Sequence, residues 1–361
     1  MKKHYSSINI QRNLISISLV IIIIFAVQYR LTEKIFINHK FQGEAIGTSF
    51  SIKLTHTPLK VKESKHIQNK IFSIFRSINT TCSVFERNSD VSIFNHQVEA
   101  FQDFVISDDL FKIIKRALEI SKKTHGSFDI TVSPLINLWG FGEDGKRNIP
   151  SAEEVEEKLK VTGADKLLLL GKNILQKKIN GVSINLGAIA KGYAVDKIAS
   201  FLVSLDCKNF MIEVGGEVYC SGLNRDFENW TIGIDTPDSH LIPGENIMGV
   251  TTLNRQAIAT SGNYRRFFKY GKKIYSHIIN PKTGYPVDNN LVSVSVITSN
   301  CMEADAYATA FFVLGYNKSI EIVEKDSNLE AYFILKEDDG IFKSYKSSGF
   351  KLIDSSLQVE G

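Results

Sequence analysis

The segment INLGAIAKGYAVDKIASFL, residues 184–202, changes its hydrophobic period part-way along. Ile184 and Leu186 alternate as in an extended chain, Gly187 and Ala188 follow, and Ala194, Ile198, Phe201, Leu202 and Leu205 then recur at helical spacing. The pattern predicts strand, tight turn and helix. Lys191 falls in the first helical turn, where unpaired N–H groups and the positive end of the helix dipole already favour an anion. An anion site at a strand-to-helix corner is expected.

The same alternation continues on both sides. FSIKL (50–54) reads as a strand, Ser64–Ile78 as a helix, and Leu110–Lys123 as an amphipathic helix with Leu110, Ile113, Ile114, Ala117 and Ile120 on one face. Residues 126–142 read as loop, and Ser151 as the N-cap of a helix with Glu153 and Glu154 in its first turn. Strands are expected at 182–186, 210–219, 230–235, 273–279 and 292–297, and a last helix at 303–314. Strands follow one another too often near the C-terminal end for a purely doubly wound sheet. The expected fold class is therefore mixed α/β (α+β), one domain over residues 43–355 with mixed or antiparallel sheets flanked by helices.

A 361-residue chain that is 43% hydrophobic can bury a sizeable core. Its net charge of +4 is small, its basic residues are scattered, and no RRM, zinc-finger or basic-helix pattern occurs, which argues against a nucleic-acid partner. Neither GxGxxG nor GxxxxGK(S/T) follows a strand, so the two commonest nucleotide motifs are absent. Cys82, Cys207, Cys220 and Cys301 are widely spaced and form no zinc pattern; no disulfide pairing can be assigned from them. Lys2, Lys3 and Arg12 precede an uncharged run, Asn13–Tyr29, centred on LVIIIIFAV. Residues 1–30 are expected to be a signal anchor or signal peptide, with 31–42 a linker and the domain on the outer side of the membrane.

Four further segments carry candidate chemistry. In CMEADAYATAFFVLG (301–315), Asp305 and Thr309 are four apart and share a helix face, a pair of hard oxygen donors of the kind magnesium accepts. YSHIINPKTGYPV (275–287) puts His277 at a strand end above a turn, where an imidazole can accept a proton. FMIEVGGEV (210–218) is a strand interrupted by a glycine pair, the mark of a bulge or of close backbone approach. GSFDITV (126–132) carries an isolated Asp129, and ATSGNYRRFF (259–268) reads as a loop able to present backbone donors.

Seven blocks in order, GEAIGTSFSI, GSFDITVSPLINLWGFG, INLGAIAKGYAVD, IEVGGEV, AIATSGNY, YSHIINPKTGYPV and ADAYATAFFVLG, together resemble the ApbE family of FAD:protein FMN transferases. The resemblance covers nearly everything after the apolar run. It implies an enzyme that takes FAD as substrate, cleaves its pyrophosphate with Mg2+ and transfers FMN to a threonine or serine hydroxyl of another protein, releasing AMP. It also implies a catalytic domain facing the periplasm from a bacterial inner membrane. The implied acceptors are subunits of membrane redox complexes with an Asp-x-x-(Ser/Thr)-x-Thr type motif.

By position in the family pattern, Asp305 and Thr309 match metal ligands, with the backbone carbonyls of Ala188 and Met302 beside them. Ile46, Phe85, Ser127, Phe128, Asp129, Asn185 and Lys191 match FAD contacts, with Ile46, Phe85 and Phe128 expected around the isoalloxazine and Lys191 at the pyrophosphate. His277 matches the residue that activates the acceptor hydroxyl. Asn185 stands where the family more usually has aspartate, and Phe85 where a tyrosine is common. Two other functions fit the same residues: an FAD pyrophosphatase in which water replaces the hydroxyl, and a membrane-tethered flavin-binding protein without catalysis.

Overall fold

Eight antiparallel strands form the central sheet: β1 (His39–Ala45), β2 (Thr48–Leu54), β3 (Phe210–Val214), β4 (Glu217–Ser221), β5 (Gln256–Gly262), β6 (Leu291–Thr298), β7 (Glu330–Lys336) and β8 (Phe342–Lys346). Their order across the sheet is their order along the chain, so every long insertion between two strands must return to the place it left. The computed structural model describes Ile23 and residues 38–353, apart from 143, 144, 146, 148, 172, 239–243, 264–266 and 272. Apart from Ile23, the apolar run Asn13–Tyr29 lies outside the described residues, and among those described no helix is long and apolar enough to cross a membrane.

The largest insertion, residues 55–209, contributes helices α1 (Val61–Cys82), α2 (Asp108–Lys123) and α3 (Ala190–Ser204); residues 299–329 contribute α4 (Cys301–Leu314). These helices cover one sheet face and bury the main core, which includes Ile52, Ile71, Ile114, Ile198, Ile212 and Phe311. The hairpin Trp230–Asp235/Ile247–Leu253 lies on the other face, where Trp230, Ile234 and Leu253 pack with Tyr332 and Phe350. Covered on both sides, β7 is buried from Ala331 to Leu335, which explains why it reads as an apolar run, and β6 buries even Ser293 and Ser295 between its valines. All four cysteines are buried free thiols.

Local signals held where their physics is local. The α2 stripe is wholly buried, and Ser107 accepts from Leu110 N at its start. Ser151 caps its helix, Ala152–Lys160, with Glu154 completing the capping box. α4 is apolar or small on almost every side, as a helix packed on all sides must be.

Other expectations are corrected. Residues 182–186 are extended but not a strand: Asn95 Oδ1 accepts from Ile184 N at 2.7 Å and Asn95 Nδ2 donates to Ile184 O at 2.9 Å, so a side-chain amide replaces a neighbouring strand. Residues 210–219 are no bulged strand but a hairpin, with Gly215 and Gly216 at φ of 64° and 102° making the two-residue turn. Residues 259–262 belong to β5, and the strand expected at 273–279 stops at Ser276. The expected loop at 126–142 contains a short helix, Ser133–Leu138, with Pro134 in its first turn.

Candidate active site

Glycine makes the central contact of the site possible. A Cβ built on Gly192 would lie 2.2 Å from Cys301 O, so α3 and α4 cross at a distance that excludes any side chain. At that crossing Gly192 N, in the first turn of α3, donates to Asp305 Oδ2 at 3.1 Å. Four residues on, Thr309 Oγ1 is 3.1 Å from Ser261 Oγ on β5. The helix start inferred from the sequence is present, but the anion at Gly192 N is a carboxylate of the protein itself.

Lys191 likewise meets internal carboxylates. Its Nζ is 2.5 Å from Glu217 Oε1 and 3.6 Å from Asp305 Oδ1. Burial alone would lower the pKa of this ammonium, but Asp305 and Glu217 together hold it well above the ordinary lysine value. Burial raises both carboxyls, only partly offset by Lys191; in Glu217 the charge of Asp305 adds to the rise. Glu217 Oε2 is buried without a hydrogen-bond partner, which leaves this cluster short of positive charge.

Glu217 and Asp196 are site residues that the sequence reading missed. Asp196, on α3, accepts from Cys301 N at 2.8 Å and Met302 N at 2.9 Å at the start of α4. Burial pushes its carboxyl up to about 6 against those two bonds. Glu217 stands 26 residues from its partner Lys191 and Asp196 stands 105 from Cys301, so no local spacing announces either.

The other sequence-predicted residues occupy different settings. Ile46 sits in the β1–β2 turn at φ 46°, a left-handed conformation that a β-branched residue rarely adopts. Phe85 is 72% exposed, a large ring at the surface. Phe128 is 2% exposed and packed in the main core, so its ring is a core element and only its backbone is available to a ligand. Ser127 beside it is buried. Asp129 Oδ1 accepts from Thr131 N and Thr131 Oγ1, and its Oδ2 accepts from Ala164 N, so both oxygens hold the local turn. Asn185 Oδ1 accepts from Gly187 N at 2.8 Å and shapes the corner ahead of α3. Ala188 and Met302 are half-buried, one in that corner and one in the first turn of α4. His277 is half-buried beside the ring of Phe141, with ring centroids 6.4 Å apart.

Six contacts join all seven blocks. Gly215 N donates to Ser49 O, Lys191 pairs with Glu217, Gly192 N donates to Asp305, and Thr309 meets Ser261. Asn185 N donates to Ile130 O at 2.7 Å, and Trp139 Nε1 to Gly284 O at 2.8 Å. Contacts between residues as far apart in sequence as Ser49 and Gly215 thus form one continuous region around the α3–α4 crossing.

The ApbE family model matches residues 46–333. The chain is 36% identical to the FAD:protein FMN transferase of Vibrio cholerae over 310 residues, 86% of this chain and 90% of that protein. With the protein of that name from Haemophilus influenzae the identity is 34% over 321 residues, covering 88% and 91% of the two chains. The structure of the flavin transferase ApbE from Vibrio cholerae superposes with a TM-score of 0.79 at 36% identity, over 87% of this chain and 98% of that one. The apo flavinyl transferase ApbE of Pseudomonas stutzeri does so with a TM-score of 0.76 at 28% identity, over 87% and 95%. Joined in one fold, the seven blocks and these matches establish that the chain belongs to the ApbE family.

Proposed function

We propose that this protein is an FAD:protein FMN transferase that moves FMN from FAD to a hydroxyl of a target protein. The observation that carries the reading is the joining of all seven family blocks around the α3–α4 crossing, within a chain 36% identical to a transferase of that name. The acceptor oxygen, from threonine or serine, forms a bond to the FMN phosphorus as the bond from that phosphorus to the bridging oxygen of FAD breaks. AMP leaves with the bridging oxygen, and the acceptor proton passes to His277 acting as general base.

The donor set suits magnesium. Asp305 and Thr309 supply one carboxylate and one hydroxyl, and Glu217 Oε2 nearby is a buried oxygen without a partner. Among the described residues no three His, Cys, Asp or Glu gather into an all-protein cage, in keeping with an ion that takes one or two carboxylates and fills its shell with water and phosphate. Asp305 and Thr309, with the carbonyls of Ala188 and Met302, would hold the ion, and it would neutralise charge on the pyrophosphate. Lys191 adds a positive charge beside it, and exposed Phe85 offers a ring face to the flavin.

The apolar run Asn13–Tyr29, with Lys2, Lys3 and Arg12 before it, supports a bacterial inner-membrane anchor with the domain in the periplasm. Acceptors there are subunits of membrane redox complexes with an Asp-x-x-(Ser/Thr)-x-Thr type motif. The test incubates the full-length protein with FAD, Mg2+ and a peptide of that motif. A peptide mass gain equal to FMN less water, with stoichiometric AMP, is expected. FMN and AMP released equally without peptide would make the protein a pyrophosphatase, and intact FAD would leave a binding protein only.

A further inference from the structure

Lys191 can reach two carboxylates, and the structure divides it unequally between them. The ammonium bonds Glu217 at 2.5 Å and makes only a longer ion pair, at 3.6 Å, with Asp305 Oδ1. The two partners differ in freedom. Glu217 is the first residue of β4, held in register by the Gly215–Gly216 turn opposite Val214, and its side chain is 4% exposed. Lys191 is a four-carbon stem, 30% exposed, whose head goes where the charge is strongest. A carboxylate present only to pair with lysine would not leave Oε2 buried and unsatisfied.

We infer that Glu217 is a positioning residue for the metal site: it draws the Lys191 ammonium away from Asp305 and so keeps a carboxylate oxygen of Asp305 open to a divalent cation. This rests on the reading of Asp305 and Thr309 as metal ligands. Without the charge of Glu217, the carboxylate left beside the ammonium is Asp305, and a Lys191–Asp305 pair closed to hydrogen-bond distance would fill the place of the cation with an organic one. Residues behind a ligand that set its orientation and charge are as much part of a metal site as the ligands. No other described residue is bonded to Lys191 Nζ, so the division depends on Glu217.

Calorimetric titration of Mn2+ into the full-length protein without flavin tests the inference. Glu217→Gln is expected to weaken binding on the order of 10- to 100-fold. Adding Lys191→Met to Glu217→Gln is expected to restore most of the loss, because no ammonium remains to compete. The double variant replaces a buried ion pair by neutral groups of similar shape, a change that folds often tolerate. If Glu217→Gln alone does not fold, the double variant still decides, since its affinity for Mn2+ must come close to that of the parent. Unchanged affinity in Glu217→Gln, or a double variant as weak as the single, would overturn the inference. A parent protein that binds no Mn2+ would overturn the metal reading itself.

Discussion

Asp196 and Asp305 each cap the helix that carries the other. Asp305, on α4, accepts from Gly192 N at the start of α3, and Asp196, on α3, accepts from Cys301 N and Met302 N at the start of α4. Carboxylates at helix N-termini satisfy orphan N–H groups and complement the dipole. Here the exchange also fixes the one crossing on which Asp305 and Lys191 meet. Asp196→Asn keeps one acceptor oxygen where two N–H groups need one each, and strands a donor. A loss of about 1–3 kcal/mol in stability is expected, read from urea unfolding. An unchanged midpoint would show that the cap is dispensable.

How much of this was legible beforehand follows from distance along the chain. The stripe of α2 and the Ser151–Glu154 box depend on residues three or four apart, and both were readable. Ile184–Leu186 looked like a strand because it alternates, yet its partner is the amide of Asn95, which no periodicity reveals. The place of Lys191 at a helix start is legible from local spacing, while its partners Glu217 and Asp305 come from a distant hairpin and a distant helix. The family resemblance puts Phe128 at the flavin by position alone; which way a ring turns is a matter of packing, and this one is in the core.

Asp109, in the first turn of α2, predicts an acid limit to stability. It accepts from Tyr193 Oη at 2.7 Å and lies 3.0 Å from Lys197 Nζ, tying α2 to α3. Burial alone would raise its carboxyl, but those two partners hold it below the ordinary value. With the folded pKa depressed, its contribution is present above the unfolded value and is lost as pH falls through the folded one. The stability gap between parent and Asp109→Asn, on the order of 1 kcal/mol for a partly exposed pair, should be constant above about pH 5 and close in more acid solution. A gap that instead grew on acidification would refute the assignment.

Ile46 separates strain from function. Its left-handed backbone costs about 1–2 kcal/mol for an ordinary residue, and asparagine tolerates that conformation far better. Its side chain packs partly on the main core, so replacement forfeits apolar burial of similar size. Ile46→Asn should therefore leave stability within about 1 kcal/mol of the parent, while the KM for FAD rises. Such a split marks strain retained at a binding position. An unaltered KM with altered stability would make the turn purely architectural.

For His277, the general-base reading requires that its removal act on turnover. His277→Ala should lower kcat for peptide flavinylation on the order of 10²- to 10⁴-fold, with FAD binding, followed by flavin fluorescence, close to that of the parent. Equal losses in both would mean that His277 holds the flavin and does not take the acceptor proton.

Gly192 offers the sharpest test of the α3–α4 crossing. An alanine Cβ there would stand 2.2 Å from Cys301 O and 2.8 Å from Met302 Cα, both backbone atoms that cannot rotate away. The helices must part, and parting them stretches the Gly192–Asp305 bond and the two bonds that Asp196 accepts at once. Overpacking of this kind typically costs about 1–3 kcal/mol, and the strained caps push Gly192→Ala to the upper end. Stability alone would not distinguish this glycine from any other tight contact. The distinguishing measurement is Mn2+ affinity in protein that remains folded: it should fall in Gly192→Ala, because Asp305 and Lys191 sit on opposite sides of the forced gap. A destabilised variant that binds the ion as tightly as the parent would show that the crossing supports the fold without shaping the site.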